Sequence, residues 1–175
     1  NHPTSLMPFP KDYKKDIYLN YRPSSWGWAT WKDRWEKADW HVSDFAQFIH
    51  NKDERTKFNR GGEDLSDMLI NQMQGNIDSW AIRWVYAHYK NDAYSIYPVR
   101  SYINNIGHDG SGTHTFDDDF KQNDLSNALK NLTFENNLTI HPALMKSFRK
   151  VYRFGIKYKA KRWLRRLAGK DFTKE

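Results

Sequence analysis

Tryptophans at 28, 31 and 35 fall at i, i+3, i+7, which puts Trp28, Trp31 and Trp35 on one face of a predicted helix, with Ser24 or Ser25 placed to cap its first turn. A short second helix is predicted over 43–50. The polar stretch 51–60 reads as a loop ending at Gly61 and Gly62. Leu65, Met68, Leu69 and Met73 then restore the helical period, and Gly75 stands where a helix C-terminus takes a left-handed residue. Ile77, Trp80, Ala81, Trp84 and His88 repeat it in a further helix, with Asp78 in the first turn, where the helix dipole favours an anion. Residues 93–99 predict a short strand.

The ends of the chain are patterned differently. Residues 1–23 hold Pro3, Pro8, Pro10 and Pro23 with no sustained apolar period, and read as an extended, loop-like lead-in. Residues 104–114 carry Gly107, Gly110 and Gly112, too many for a regular element, and predict an ordered surface loop. The polar segment 117–137 has no clear period. Near the C-terminus a helix is predicted over 141–168, with Met145, Phe148, Tyr152, Ile156, Trp163 and Leu167 along one stripe. The organisation is therefore a body, residues 1–140, followed by a helix and tail, 141–175.

Charge sharpens that division. The net charge of +7 over 175 residues is unevenly placed, because the stretch from Lys146 to Lys170 holds Lys and Arg but no Asp or Glu. The basicity belongs to the tail, and the body is acidic. Such a helix suits an anionic membrane surface, whereas nucleic acid is not expected, since no recognition motif accompanies the cations and an acidic body repels a phosphate backbone. Aromatic residues make up 16% of the chain, so an aromatic core is expected. No apolar run is long enough to span a bilayer and the first residues lack a signal-peptide pattern, so the expected setting is cytoplasmic, peripheral on the inner membrane face if the tail docks there. With no cysteine, any metal must use oxygen or imidazole ligands.

Five motifs stand in order along the body. They are Ser25-Trp-Gly-Trp-Ala-Thr-Trp-Lys-Asp-Arg-Trp35, Gly62-Glu-Asp-Leu65, Ile77-Asp-Ser-Trp-Ala-Ile-Arg-Trp84, Tyr97-Pro98 and Asn105-Ile-Gly-His-Asp-Gly-Ser-Gly-Thr-His114. As a set they resemble the bacterial sugar transferases related to family 2 glycosyltransferases, which are distantly similar to N-acetylglucosaminyltransferase I. The resemblance covers about 18–114. It implies an α/β fold, the mostly helical, acceptor-side C-terminal half of a GT-A (Rossmann-like) catalytic domain with a few short strands, followed by the basic amphipathic helix. Nothing before Tyr18 supplies a parallel βαβ unit, a phosphate-cradling loop or an Asp-x-Asp metal motif. The donor-binding half is thus expected from upstream sequence or another chain. Asp117-Asp118-Asp119 matches Asp-x-Asp in letters, but it follows the motifs instead of preceding them and reads as a solvated acidic turn.

The implied activity is transfer of a sugar from a nucleotide-sugar donor to a saccharide or lipid-linked acceptor in surface-polysaccharide synthesis. The alternative is a non-catalytic glycan- or membrane-binding remnant or subunit. Inverting transfer needs a carboxylate to take the proton of the acceptor hydroxyl. By resemblance Asp78 is the first candidate, and the pair Glu63 and Asp64 is the second, adjacent carboxylates being able to push one pKa upward. Either site also suits a plain helix N-terminus. Trp26, Gly27 and Trp28 are the candidate acceptor-binding residues, since an indole stacks on the apolar face of a pyranose and a glycine admits close approach. Trp31, Trp35, Trp80 and Trp84 have core-like spacing. Arg83 and Arg100 are candidate donor-phosphate partners, and His114, or His108, could complete the coordination of a divalent metal, Mn or Mg, in the complete enzyme.

Overall fold

The computed structural model describes residues 7–104, 106, 125, 131–155, 160 and 164. They form helices around a small two-stranded sheet, broadly α/β. Strand β1 (Ile17–Asn20) pairs antiparallel with β2 (Ser95–Pro98), Ile17 lying opposite Pro98 and Asn20 opposite Ser95. The strand expected near 93–99 is present. Its partner lies in the stretch read as a loop-like lead-in, where the three-residue apolar run Ile17, Tyr18, Leu19 is too short to give a period of its own.

Between the strands run α1 (Lys32–Glu36), α2 (Phe45–His50), α3 (Lys52–Phe58), α4 (Leu65–Met73) and α5 (Trp80–Lys90). The expected loop at 51–60 is instead α3 with a 3-10 turn, Asn59–Gly61. Asn51 caps α3 by accepting from the amides of Asp53 (3.0 Å) and Glu54 (3.1 Å), whose own carboxylates suit the positive end of the helix dipole. Phe58 at its end is buried and makes α3 part of the core. Gly75 follows α4 with φ 73, the left-handed residue expected there, and its amide donates to Gln72.

Two cores result. Val42, Phe48, Phe58, Leu65, Leu69 and Ile82 pack with Val85 and Tyr86 between α2 and α5. Tyr86 donates to both carboxylate oxygens of Asp44 at 3.0 Å, so this core closes with its polar groups satisfied. The second core sits on the sheet: Tyr18 stacks on Tyr97 at 5.4 Å, and Leu144, Met145 and Phe148 of α6 (Pro142–Val151) cover them. Within α6 the apolar stripe is therefore spent on the protein's own core, and Lys146, Arg149 and Lys150 face outward.

The helix expected over 141–168 stops at Val151. Tyr152 leaves the helix with its ring beneath the Arg22 guanidinium, 3.8 Å away, and against Phe148 at 5.1 Å. Gly155 follows, and Ala160 and Leu164 are again helical. The rest of the tail, including Ile156, Trp163 and Leu167, lies outside the described residues. Among the described residues no helix is long and apolar enough to cross a membrane.

Candidate functional site

The tryptophan run does not form the long helix its spacing predicts. Gly27 takes φ 54, residues 26–31 stay extended or bent, and helix begins only at Lys32. What forms is an aromatic cluster that draws on three segments. Trp28 lies 5.7 Å from Trp35, 5.4 Å from Trp80 and 5.9 Å from Trp84. Trp35 packs on Trp40 at 4.2 Å, and Trp40 stacks on Trp84 at 5.8 Å and 14°. Trp84 is the buried centre at 6% exposure, whereas Trp31 is 73% exposed and belongs to no core. Trp35 and Trp80 are packed on one side and open on the other.

The 39–43 turn places Trp40. Asp39 accepts from the amides of Ser43 (2.7 Å) and His41 (3.0 Å), bonds that hold its carboxyl below the usual carboxylate range, the Ser43 amide contributing most. Val42 takes φ 52, a costly conformation for a β-branched residue, and its side chain is thereby delivered into the helical core. The Trp40 carbonyl accepts from Arg83 Nη1 at 3.3 Å.

Beside the cluster opens a cleft of about 420 Å³ between the 23–31 segment and the sheet. Trp26, Trp28, Trp31, Tyr94 and Tyr102 supply aromatic walls, and Ser24, Thr30, Ser95 and His88 supply polar groups. Leu132 and Phe134 close one edge, tied down where the Thr133 amide donates to Asp16 at 3.0 Å and Lys15 pairs with Glu135 at 2.6 Å. This is the composition of a small-molecule site: apolar faces with a few placed polar groups. No family model, curated protein or solved structure matches the chain.

The three acceptor candidates, Trp26, Gly27 and Trp28, all line the cleft. The close approach at Gly27 is made by the protein itself: an added Cβ would stand 2.7 Å from Ile103 Cγ2 and 2.9 Å from its Cδ1. Gly27→Ala is therefore expected to cost about 1 to 2 kcal/mol from the left-handed backbone alone, with Ile103 displaced from the cleft wall in addition. Urea denaturation of the variant measures the sum, and an unchanged midpoint would remove the need for glycine here.

The candidate carboxylates part company. Asp64 is committed to a half-buried ion pair, with Arg22 Nη1 at 2.7 Å from Oδ1 and 2.9 Å from Oδ2. The guanidinium is held from every side, by the Tyr152 ring below and Met68 Sδ at 3.6 Å, while the Tyr97 hydroxyl donates to the Arg22 carbonyl at 2.8 Å. Gly62 makes room, since a Cβ there would stand 2.5 Å from Asp64 Oδ1 and 2.7 Å from Arg22 Nη1. Glu63 faces Arg153 at 3.8 Å. Asp78, by contrast, is exposed and lies just before Ser79, the N-cap of α5, not within the first turn. The Ser79 amide donates to the Gln72 side chain, which fixes the chain's direction into α5, and Trp80 follows into the tryptophan cluster.

Arg83 reaches Trp40 and Arg100 lies just after β2; neither lines the cleft. His108 and His114 lie outside the described residues, as does Asp117-Asp118-Asp119. Among the described residues no three His, Asp or Glu groups are placed to hold a metal ion.

Sequence spacing missed Tyr94, Tyr102 and the cleft face of His88. Tyr94 and Tyr102 flank the strand signal at 95–98 in a stretch rich in tyrosine, a mark of amphipathic contact surfaces that spacing does not register.

Proposed function

We propose that this chain is the acceptor-side part of a GT-A glycosyltransferase of the family 2 type, transferring a sugar from a nucleotide-sugar donor to a saccharide or lipid-linked acceptor. One observation carries the reading: the aromatic-walled cleft built from Trp26, Trp28 and Trp31, with hydroxyls at its edge. Indole and phenol rings cover the C–H face of a pyranose, and the hydroxyl groups of the sugar reach the polar rim. Of the ordered motifs, the tryptophan run, Trp84 and Tyr97-Pro98 contribute to the lining of the cleft and support the same assignment.

In this reading Asp78 takes the proton of the acceptor hydroxyl as its oxygen attacks the anomeric carbon of the donor, and the bond to the nucleoside diphosphate breaks with the electron pair leaving on phosphate. Asp64 acts structurally, pinned by Arg22. The donor-binding half, with its Mn or Mg ion, comes from sequence outside the motifs described. Arg83, Arg100 and His114 would serve the donor side only when that half is present. The outward cations of α6, Lys146, Arg149 and Lys150, begin a basic surface that would hold an anionic membrane at the acceptor side.

Tryptophan fluorescence and calorimetry test the reading on the chain itself. Methyl glycosides and short oligosaccharides are expected to shift the emission with millimolar affinity, and Trp26→Ala to abolish the response; a UDP-sugar or GDP-sugar with Mn²⁺ is expected to give weak heat or none. No response to any saccharide would sink the acceptor assignment.

A further inference from the structure

Stacking holds a sugar without choosing it. Every pyranose offers a C–H face, so Trp26, Trp28 and Trp31 would grip many saccharides alike, and discrimination must come from a polar group whose direction is fixed. Several polar groups of the cleft can turn: the hydroxyls of Thr30, Ser95 and Tyr94 rotate to suit what they meet. His88 is a polar group of the cleft whose hydrogen-bonding sense is set by the fold while one ring nitrogen is left over for a ligand.

Three features set it. His88 Nδ1 lies 3.0 Å from the carbonyl oxygen of Trp84, one helical turn back along α5. A carbonyl only accepts, so Nδ1 carries the hydrogen, and in the neutral ring Nε2 is left as a lone-pair acceptor. The ring is also packed edge-on to Trp84, 4.6 Å between centroids and 87° between planes, and turning it by 180° would put a carbon in place of Nδ1 and lose the bond to the Trp84 carbonyl. Burial favours the neutral ring and pushes the imidazole below its ordinary pKa, outweighing the hydrogen bond to the Trp84 carbonyl, which favours the charged form. The residue lines the cleft together with Trp28 and Trp84.

We propose that His88 is the selecting residue of the cleft, accepting through Nε2 a hydrogen bond from one hydroxyl of the saccharide stacked on the tryptophans. The inference rests on the saccharide reading above and deepens it. A site built to accept from a hydroxyl rejects a ligand lacking that hydroxyl, because the acceptor is then desolvated and unpaired.

The test uses methyl glycosides of glucose, galactose, mannose and N-acetylglucosamine, then the monodeoxy derivatives of whichever binds most tightly, titrated into the wild type, His88→Phe and His88→Gln. The wild type is expected to bind one monodeoxy derivative about tenfold more weakly than the parent. His88→Phe keeps the aromatic wall and is expected to bind parent and derivative alike, whereas His88→Gln, which restores an acceptor, should recover part of the difference. If His88→Phe does not fold, His88→Asn, whose short side chain withdraws the acceptor, takes its place. Unchanged discrimination in folded His88→Phe or His88→Asn, or a wild type that binds every monodeoxy derivative as tightly as the parent, would overturn the assignment of His88 and leave the saccharide reading standing. Failure of the wild type to bind any glycoside would overturn both.

Discussion

Trp84→Ala is expected to lower the stability of the fold by about 3 to 5 kcal/mol, the range for emptying a buried aromatic site. Trp84 is the centre on which Trp28, Trp35, Trp40 and His88 converge. Truncation removes its apolar burial and also the edge and stacking contacts, each worth about 0.5 to 1.5 kcal/mol beyond area. The neighbours come from short segments, residues 26–31, α1 and the 39–43 turn, which have little regular structure to hold them once the centre is gone. Trp31→Ala provides the control. Its side chain is largely in solvent, and the expected change is within about 0.5 kcal/mol. Urea midpoints of the two variants, with near-ultraviolet circular dichroism to follow the coupled indoles, measure the contrast. Equal effects at the two positions would mean that the cluster is not centred on Trp84.

That contrast also marks what spacing could and could not tell. Trp28, Trp31 and Trp35 obey helical spacing, and the helix still fails at its start, because Gly27 turns the chain left-handed to let Ile103 pack beneath it. That contact spans the length of the motif block and has no local signature. The helices α4 and α5 were legible because each buries one face along its whole length. Helix α3 was not, since only Arg55 and Phe58 face inward and its polar residues look like a loop; the legible signal was the cap, Asn51 followed by Asp53 and Glu54. Strand β1 was hidden for a similar reason: four residues cannot show a period, and their strand character comes from Tyr18 stacking on Tyr97 far along the chain.

The site divides along the same line. Trp26, Gly27 and Trp28 line the cleft, and the two tryptophans could be singled out from residue type, because stacking is a property of the side chain. The engagement of Asp64 could not, because it depends on a partner 42 residues away: Arg22, seated on Tyr152 and admitted by the bare Cα of Gly62. Sequence proximity made Glu63 and Asp64 look like a coupled carboxylate pair. The fold gives each its own arginine instead.

Asp78→Asn is accordingly expected to reduce turnover by about 10² to 10⁴-fold, the usual contribution of a positioned general base, in an enzyme that carries both halves. Folding should be untouched, because Asp78 is exposed and the link into α5 is made by Ser79 and Gln72 rather than by its carboxylate. Asp64→Asn is expected to do the reverse. Replacing a carboxylate that receives two short bonds from one guanidinium nitrogen costs about 1.5 to 3 kcal/mol of stability, and turnover should fall only as far as the Gly62 turn loosens. Steady-state rates with the nucleotide-sugar donor and denaturation midpoints, taken on both variants, form a crossed pair. Loss of turnover in Asp64→Asn without loss of stability would transfer the proton acceptor to Asp64. Normal turnover in both would remove the base from these two positions. The crossed outcome follows from which lone pairs are engaged: a carboxylate clasped by Arg22 has its oxygens occupied, whereas the base must begin the reaction with a lone pair open to the incoming hydroxyl.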